Sequence, residues 1–179
     1  MSAMIIPRRP TTDEYHSFYE TYVRLVDAET FEEDLRDGAK RVAHLLGSVP
    51  EEDAGRAPAS GKWSLKQVVA HLSDTERVFS FRMLWIARGG TEPLPGFDQD
   101  VWAANRDVTG TTFRALLDEF EGVRATTLSL VRSLRSEDFD RRGVVSGHGA
   151  TVLALAFMIV GHAKHHERAL HARVAHEAR

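Results

Sequence analysis

Apolar positions recur at steps of three and four over four long stretches of this chain, a period that predicts helices. In the first, residues 13–46, Phe18, Tyr22, Leu25, Val26, Phe31, Leu35, Val42, Leu45 and Leu46 carry the pattern almost without breakers. They predict one long or kinked helix, bent near 26–30, capped by Thr11 or Thr12 with Asp13 and Glu14 in its first turn. Pro50, Gly55, Pro58 and Gly61 mark a loop over 47–61. Ser64 followed by Gln67 has the capping-box pattern, and Leu65, Val68, Val69, Leu72, Phe79, Met83, Leu84 and Ile86 extend a second helix to about Arg88, with Trp63 as the anchor of its start. Residues 89–110 are the longest irregular stretch, pinned by Phe97, Val101 and Trp102. A third helix covers 111–134, residues 136–139 add one turn, and 143–149 form a tightly turned approach to a fourth helix over 151–175. No stretch reads convincingly as a strand. Four amphipathic segments with long loops between them predict an all-α, antiparallel-like four-helix bundle: a leader at 1–10, then a single domain over 11–176.

The fourth helix carries chemistry as well as a core face. His162 and His166 lie one turn apart on the stripe of Leu155, Met158, Ile159 and Ala169, so both imidazoles face the interior. Two buried imidazoles need a partner for each ring nitrogen, and a divalent cation supplies one to both. Ala163 stands where a zinc protease carries its Glu base, which excludes that reading. The bland alternative is two satisfied core histidines, since chance gives such a pair in roughly every second or third chain with this many histidines. His71 lies on a half-polar stripe with Val68, Asp74, Thr75, Val78 and Arg82, and by itself reads as a surface or boundary residue. His44 reads as solvated or capping, His148 as a surface loop residue although its flanking glycines would let it approach the site, and His165, His171 and His176 as solvated.

Composition narrows the function. With 179 residues, 42% hydrophobic and 27% charged, the chain has an ordinary globular composition. A net charge of −3 argues against nucleic acid as partner, and the absence of cysteine removes disulfides, thiolate ligands and a protein-borne sulfur nucleophile. No signal-peptide or membrane-spanning run is evident, so a cytoplasmic location is the expectation.

Three ordered motifs then carry a resemblance over about residues 15–170. Gly61-Lys62-Trp63-Ser64, running on to His71, Asp74, Glu76 and Arg77, is followed by Pro93-Leu94-Pro95-Gly96-Phe97-Asp98-Gln99-Asp100 and by Gly161-His162-Ala163-Lys164-His165-His166. The chain resembles the DinB-like superfamily in its YfiT-related branch. That resemblance implies an up-down-down-up four-helix bundle and a three-histidine metal site whose ligands fall on His71, His162 and His166. One divalent ion is implied, zinc or nickel first, with iron, cobalt or manganese as alternatives.

Three neutral imidazoles leave such an ion electrophilic, with open positions. Two chemistries fit. One activates water for hydrolysis; the other binds a low-molecular-weight thiol and transfers its sulfur to an electrophile, which suits a chain without cysteine. Relatives in the superfamily are described in both ways; thiol transfer is the expectation and hydrolysis the alternative. Asp74, Asp98 and Asp100 are expected as bases or ligand supports, Asp74 ahead of Glu76, and Arg82 as the contact for an anionic substrate group. The rival reading is a non-catalytic metal-binding stress-response protein. A small-molecule substrate, no membrane partner and a homodimer complete the expectations.

Overall fold

The computed structural model describes residue 6 and residues 8–177, without the side chains of 176 and 177. Seven helices and one hairpin occur among them: α1 (Glu20–Val23), α2 (Phe31–Leu46), α3 (Glu51–Gly55), α4 (Leu65–Ala87), α5 (Gln99–Asn105), α6 (Phe113–Arg132), β1 (Arg142–Val145), β2 (His148–Thr151) and α7 (Val152–Glu177). The four long ones, α2, α4, α6 and α7, form the bundle.

Named contacts set the helix directions. The start of α4 lies beside the start of α6, where Lys66 Nζ donates to Thr111 O at 2.7 Å. Their ends also meet, Arg88 donating to Ser133 Oγ, so the two run parallel. Arg132, at the end of α6, pairs with Glu32 at the start of α2, which makes those antiparallel. Along α2 and α7, Phe31 stacks on Phe157 and Arg41 pairs with Glu167, ten residues further on in each, so these are parallel. The result is up-down-down-up. Because α4 and α6 are parallel neighbours, residues 88–112 must return along the bundle, and that return covers the side of α4 that carries His71 and Asp74.

The first predicted helix is broken. A 3-10 turn, Ser17–Tyr19, leads into α1, and residues 24–30 are not helical. Ahead of it Thr11 and Glu14 close a turn: the Glu14 carboxylate accepts from Thr11 N and pairs with Arg8. Asp27 Oδ1 then accepts from Glu29 N, a local bond that competes with the helix ladder, and Phe31 starts afresh. The apolar period survives the break because Val23, Val26, Phe31 and Leu35 all enter one core cluster with α7. Of the leader, Met1 to Ile5 and Pro7 lie outside the described residues.

Two further elements depart from the sequence reading. Residues 142–151 form an antiparallel hairpin with Val145 opposite His148. Its turn residues, Ser146 and Gly147, both have positive φ, 53° and 79°, which matches the twist of a two-residue hairpin. The strands are too short and too rich in glycine for alternation to announce them. In the 89–110 stretch, α5 is nucleated by Asp98, whose carboxylate accepts from Asp100 N and Val101 N. Ser64 caps α4 with a full capping box, as its sequence predicts. No helix among the described residues is long and apolar enough to cross a membrane.

Two apolar clusters fill the bundle, one around Phe31, Phe79, Met83 and Phe157, the other around Val42, Leu46, Leu72 and Phe120. Between them runs a buried polar layer containing His71, Glu76, Arg124 and His162.

Candidate metal centre

His162 enters this layer from α7, directly after Gly161. A Cβ on Gly161 would stand 2.2 Å from the Tyr22 carbonyl oxygen, so only glycine lets α1 lie this close against α7. That approach sets the Tyr22 ring edge-on to His162, with centroids 5.3 Å apart. His166, one turn later, shares the face. His71 arrives from α4, packed under Trp63 at 4.9 Å between centroids.

The three rings meet through one kind of atom. His71 Nε2 and His166 Nε2 each lie 3.1 Å from His162 Nε2, and nitrogens of all three lie within 4.8 Å of one another. Two metal–nitrogen bonds of about 2.0–2.1 Å, meeting at a right angle or a tetrahedral one, place their nitrogens about 2.9–3.4 Å apart. Without a cation the arrangement is awkward, because His162 Nε2 offers either one hydrogen or one lone pair to two neighbours at equal distance. The donor set therefore fits a single divalent ion.

Electrostatics holds the rings neutral. Burial pushes His71 down to about 4, against the opposing pull of Asp74 and Asp100. His166 falls to about 3, through burial first and then the neighbouring imidazoles His71 and His165. His162 is driven well below the usual histidine range by burial and by His166 and His71. In its Nδ1–H form His71 donates to Thr75 Oγ1 at 3.3 Å, which leaves Nε2 free for the centre.

The acidic candidates are engaged elsewhere. Asp74 accepts from Arg106 at 2.6 Å and from Arg77 at 3.3 Å, and Thr75 takes the place beside His71 expected for it. Glu76 forms a buried two-point pair with Arg124, both bonds 2.7 Å, and Arg124 also reaches the carbonyls of Asp34 and Leu35 on α2. Asp98 is an exposed helix cap whose carboxylate accepts from the first turn of α5. Asp100, in the first turn of α5, is exposed and reaches His71 only through its field. Arg82 is buried and donates to Pro95 O at 2.7 Å and Ser146 Oγ at 2.9 Å.

Thr75 is legible in the sequence as a position four residues after His71, on the same helix face. Tyr22 and Ser146 carry no such signal, since they reach the site from other segments. His44, His165 and His171 are exposed, and the side chain of His176 lies outside the described residues. His148 is exposed and stacks on His16 at 3.8 Å, away from the three-histidine group.

A cleft of about 190 Å³ reaches His162, walled by Phe18, Tyr19, Tyr22, Phe79 and Phe97, with Thr75, Gln99 and Ser146 as its neutral polar groups. No carboxylate lines it.

Comparison with known proteins agrees with this architecture. The structure of YfiT from Bacillus subtilis, described as a probable metal-dependent hydrolase with an unusual four-helix bundle topology, superposes with a TM-score of 0.73 at 16% identity, covering 95% of both chains. Two curated relatives carry the name "Putative metal-dependent hydrolase". The one from Oceanobacillus iheyensis is 23% identical over 90% of this chain and 86% of its own length; the one from Geobacillus thermodenitrificans is 25% identical over 80% and 82%. A sequence profile of the DinB superfamily matches residues 34–170, from α2 into α7 and through all three histidines, and on that match the chain belongs to the DinB superfamily.

Proposed function

We propose that this protein is a metal-dependent enzyme acting on a small molecule, with His71, His162 and His166 holding one divalent cation through their Nε2 atoms. The observation that carries the proposal is the pair of 3.1 Å contacts converging on His162 Nε2 among rings kept unprotonated by burial. Zinc or nickel suits three imidazoles best, with iron, cobalt and manganese as alternatives. When bound, such an ion supplies a Lewis-acid centre that lowers the pKa of a thiol or water in contact with it.

The protein's own contribution is position and an apolar wall. Thr75 holds the His71 ring, Tyr22 and Trp63 pack against His162 and His71 from the side, and aromatic side chains wall the cleft that opens to His162. Transfer of an external thiol to a small electrophile is the reaction we favour: RSH and R′X give RSR′ and HX. Hydrolysis requires a base or acid to move protons at the site, and Asp74 and Glu76, the carboxylates nearest in sequence to His71, are both committed to arginines. A thiol, whose ordinary pKa of about 8.5 is far below that of water, would have less need of one. Hydrolysis is the second reading, supported by the names of the curated relatives.

The test pairs composition with turnover. Elemental analysis of the purified protein is expected to give one divalent ion per chain, lost in His162→Ala while the helical circular dichroism persists. Consumption of 1-chloro-2,4-dinitrobenzene is then followed with and without a small thiol such as cysteine. Turnover that needs both metal and thiol supports transfer, and thiol-independent cleavage of a 4-nitrophenyl ester supports hydrolysis. Wild-type protein free of metal that cannot be loaded would overturn the proposal.

A further inference from the structure

Arg82 is 2% exposed, and no carboxylate pairs with it among the described residues. The other fully buried arginine, Arg124, has its carboxylate in Glu76. A buried guanidinium answered only by neutral acceptors is costly, and burial depresses its pKa accordingly. Its further neighbours are the Tyr19 hydroxyl, a neutral hydrogen-bond partner, and the faces of Phe79 and Phe97, each 5.8 Å from the guanidinium carbon; all three side chains wall the cleft that leads to His162.

A second, independent observation lies at the residue that Arg82 touches. Ser146 sits at φ 53°, the single positive φ outside glycine among the described residues. Glycine would occupy this turn position without strain, and serine there costs stability. What serine adds is a hydroxyl. It accepts from Arg82 Nη2 at 2.9 Å, which leaves its own hydrogen free to donate, and Ser146 lines the cleft.

We infer that the cleft takes a small molecule with an apolar body and one anionic group of the carboxylate type, the anion accepting from the Ser146 hydroxyl with the Arg82 charge behind it. The apolar body then lies between the aromatic walls and the reacting end faces His162. Substrate selection is thereby separated from the metal centre. Arg82 and Ser146 are specificity residues: Ser146 makes the contact, and Arg82 acts through it. This inference rests on the reading of the three-histidine cleft as the reaction site.

Calorimetric titration with 3-phenylpropionate and with its primary amide, on the metal-loaded protein, tests it. The carboxylate is expected to bind about 10–100-fold tighter than the amide, the range of a charge-assisted bond in a part-buried site. In Ser146→Gly, which relieves the turn strain and so keeps the fold, the ratio is expected to fall to near one. Arg82→Met is expected to do the same; should it fail to fold, Ser146→Gly decides alone. In His162→Ala the ratio is expected to persist, although metal content and turnover are lost. A wild-type ratio near one, a ratio unchanged in Ser146→Gly, or a ratio abolished by His162→Ala overturns the inference, the last by placing the anion on the metal. Loss of metal in His162→Ala is scored separately, so the failure of one reading is distinguishable from the failure of the other.

Discussion

Gly161→Ala tests how the site is assembled, because two opposed effects of known size meet at one atom. Alanine is favoured over glycine in a helix interior by about 1 kcal/mol. On that ground alone the substitution should stabilise α7. The added methyl, however, would lie 2.2 Å from the Tyr22 carbonyl oxygen and 2.6 Å from its carbon, both backbone atoms that no rotamer change can move. Relief requires α1 to retreat by about an ångström, and overpacking of this kind typically costs about 1–3 kcal/mol. The retreat also withdraws Tyr22 from His162. Taking the upper part of that range against the propensity gain, the net loss is about 2 kcal/mol, or a Tm lower by about 4–8 °C for a chain of this size. Gly122 provides the control: it lies in α6, where an added methyl would meet nothing within 4 Å, so Gly122→Ala is expected to raise Tm by about 2–4 °C. Thermal unfolding of the three proteins at one scan rate decides. A Gly161→Ala protein as stable as the wild type, or more so, would refute the close packing of α1 on α7 and the positioning of Tyr22 that follows from it.

Other perturbations probe the buried layer. Glu76→Gln leaves Arg124 charged and buried without its partner, and chemical denaturation is expected to show a loss of about 3–5 kcal/mol; a loss under about 1 kcal/mol would mean that water reaches the pair. Ser64→Ala removes the α4 cap and should cost about 1 kcal/mol, measured the same way, with no change in metal content. The pH dependence has a definite sign. His71 and His166 titrate near 6.5 when unfolded but at about 4 and about 3 in the folded protein, so the unfolded chain binds more protons between these values. Stability of the metal-free protein is therefore full above about pH 6.5 and falls as the pH drops from there towards about 4, by about 1.4 kcal/mol per pH unit for each histidine. Denaturant midpoints that stay flat across that window would contradict the burial of the cluster. Removal of the cation by a chelator at neutral pH is expected to lower Tm reversibly, because an ion that binds only the folded state adds its binding free energy to stability.

What the chain reveals without coordinates is whatever its local chemistry dictates. The three-and-four period over 65–87 and 113–132 depends on neighbours within two turns, and so does the Ser64 and Gln67 cap. The spacing of His162 and His166 belongs to the same class: four residues on a helix place two rings on one face whatever the fold. The break at 24–30 is harder to read, because both halves of the broken segment bury their apolar residues against the same helix and so keep the period intact. The hairpin at 142–151 is hidden by its brevity.

Tertiary structure alone decided which distant groups meet. His71 reads as a boundary residue by its own helical stripe, yet the antiparallel packing of α4 on α7 brings its Nε2 within 3.1 Å of a ring 91 positions away in the chain. The packing of α6 and of the 88–112 return against α4 pairs Glu76 with Arg124 and Asp74 with Arg106, partners that proximity to His71 in the chain does not announce. Asp98 turns inward on its own helix start, while Ser146 reaches Arg82 across 64 residues. Periodicity records which face of a helix is buried, but a partner in an ion pair or a shared cation is set by the geometry between helices, and that geometry arises only when all four pack together.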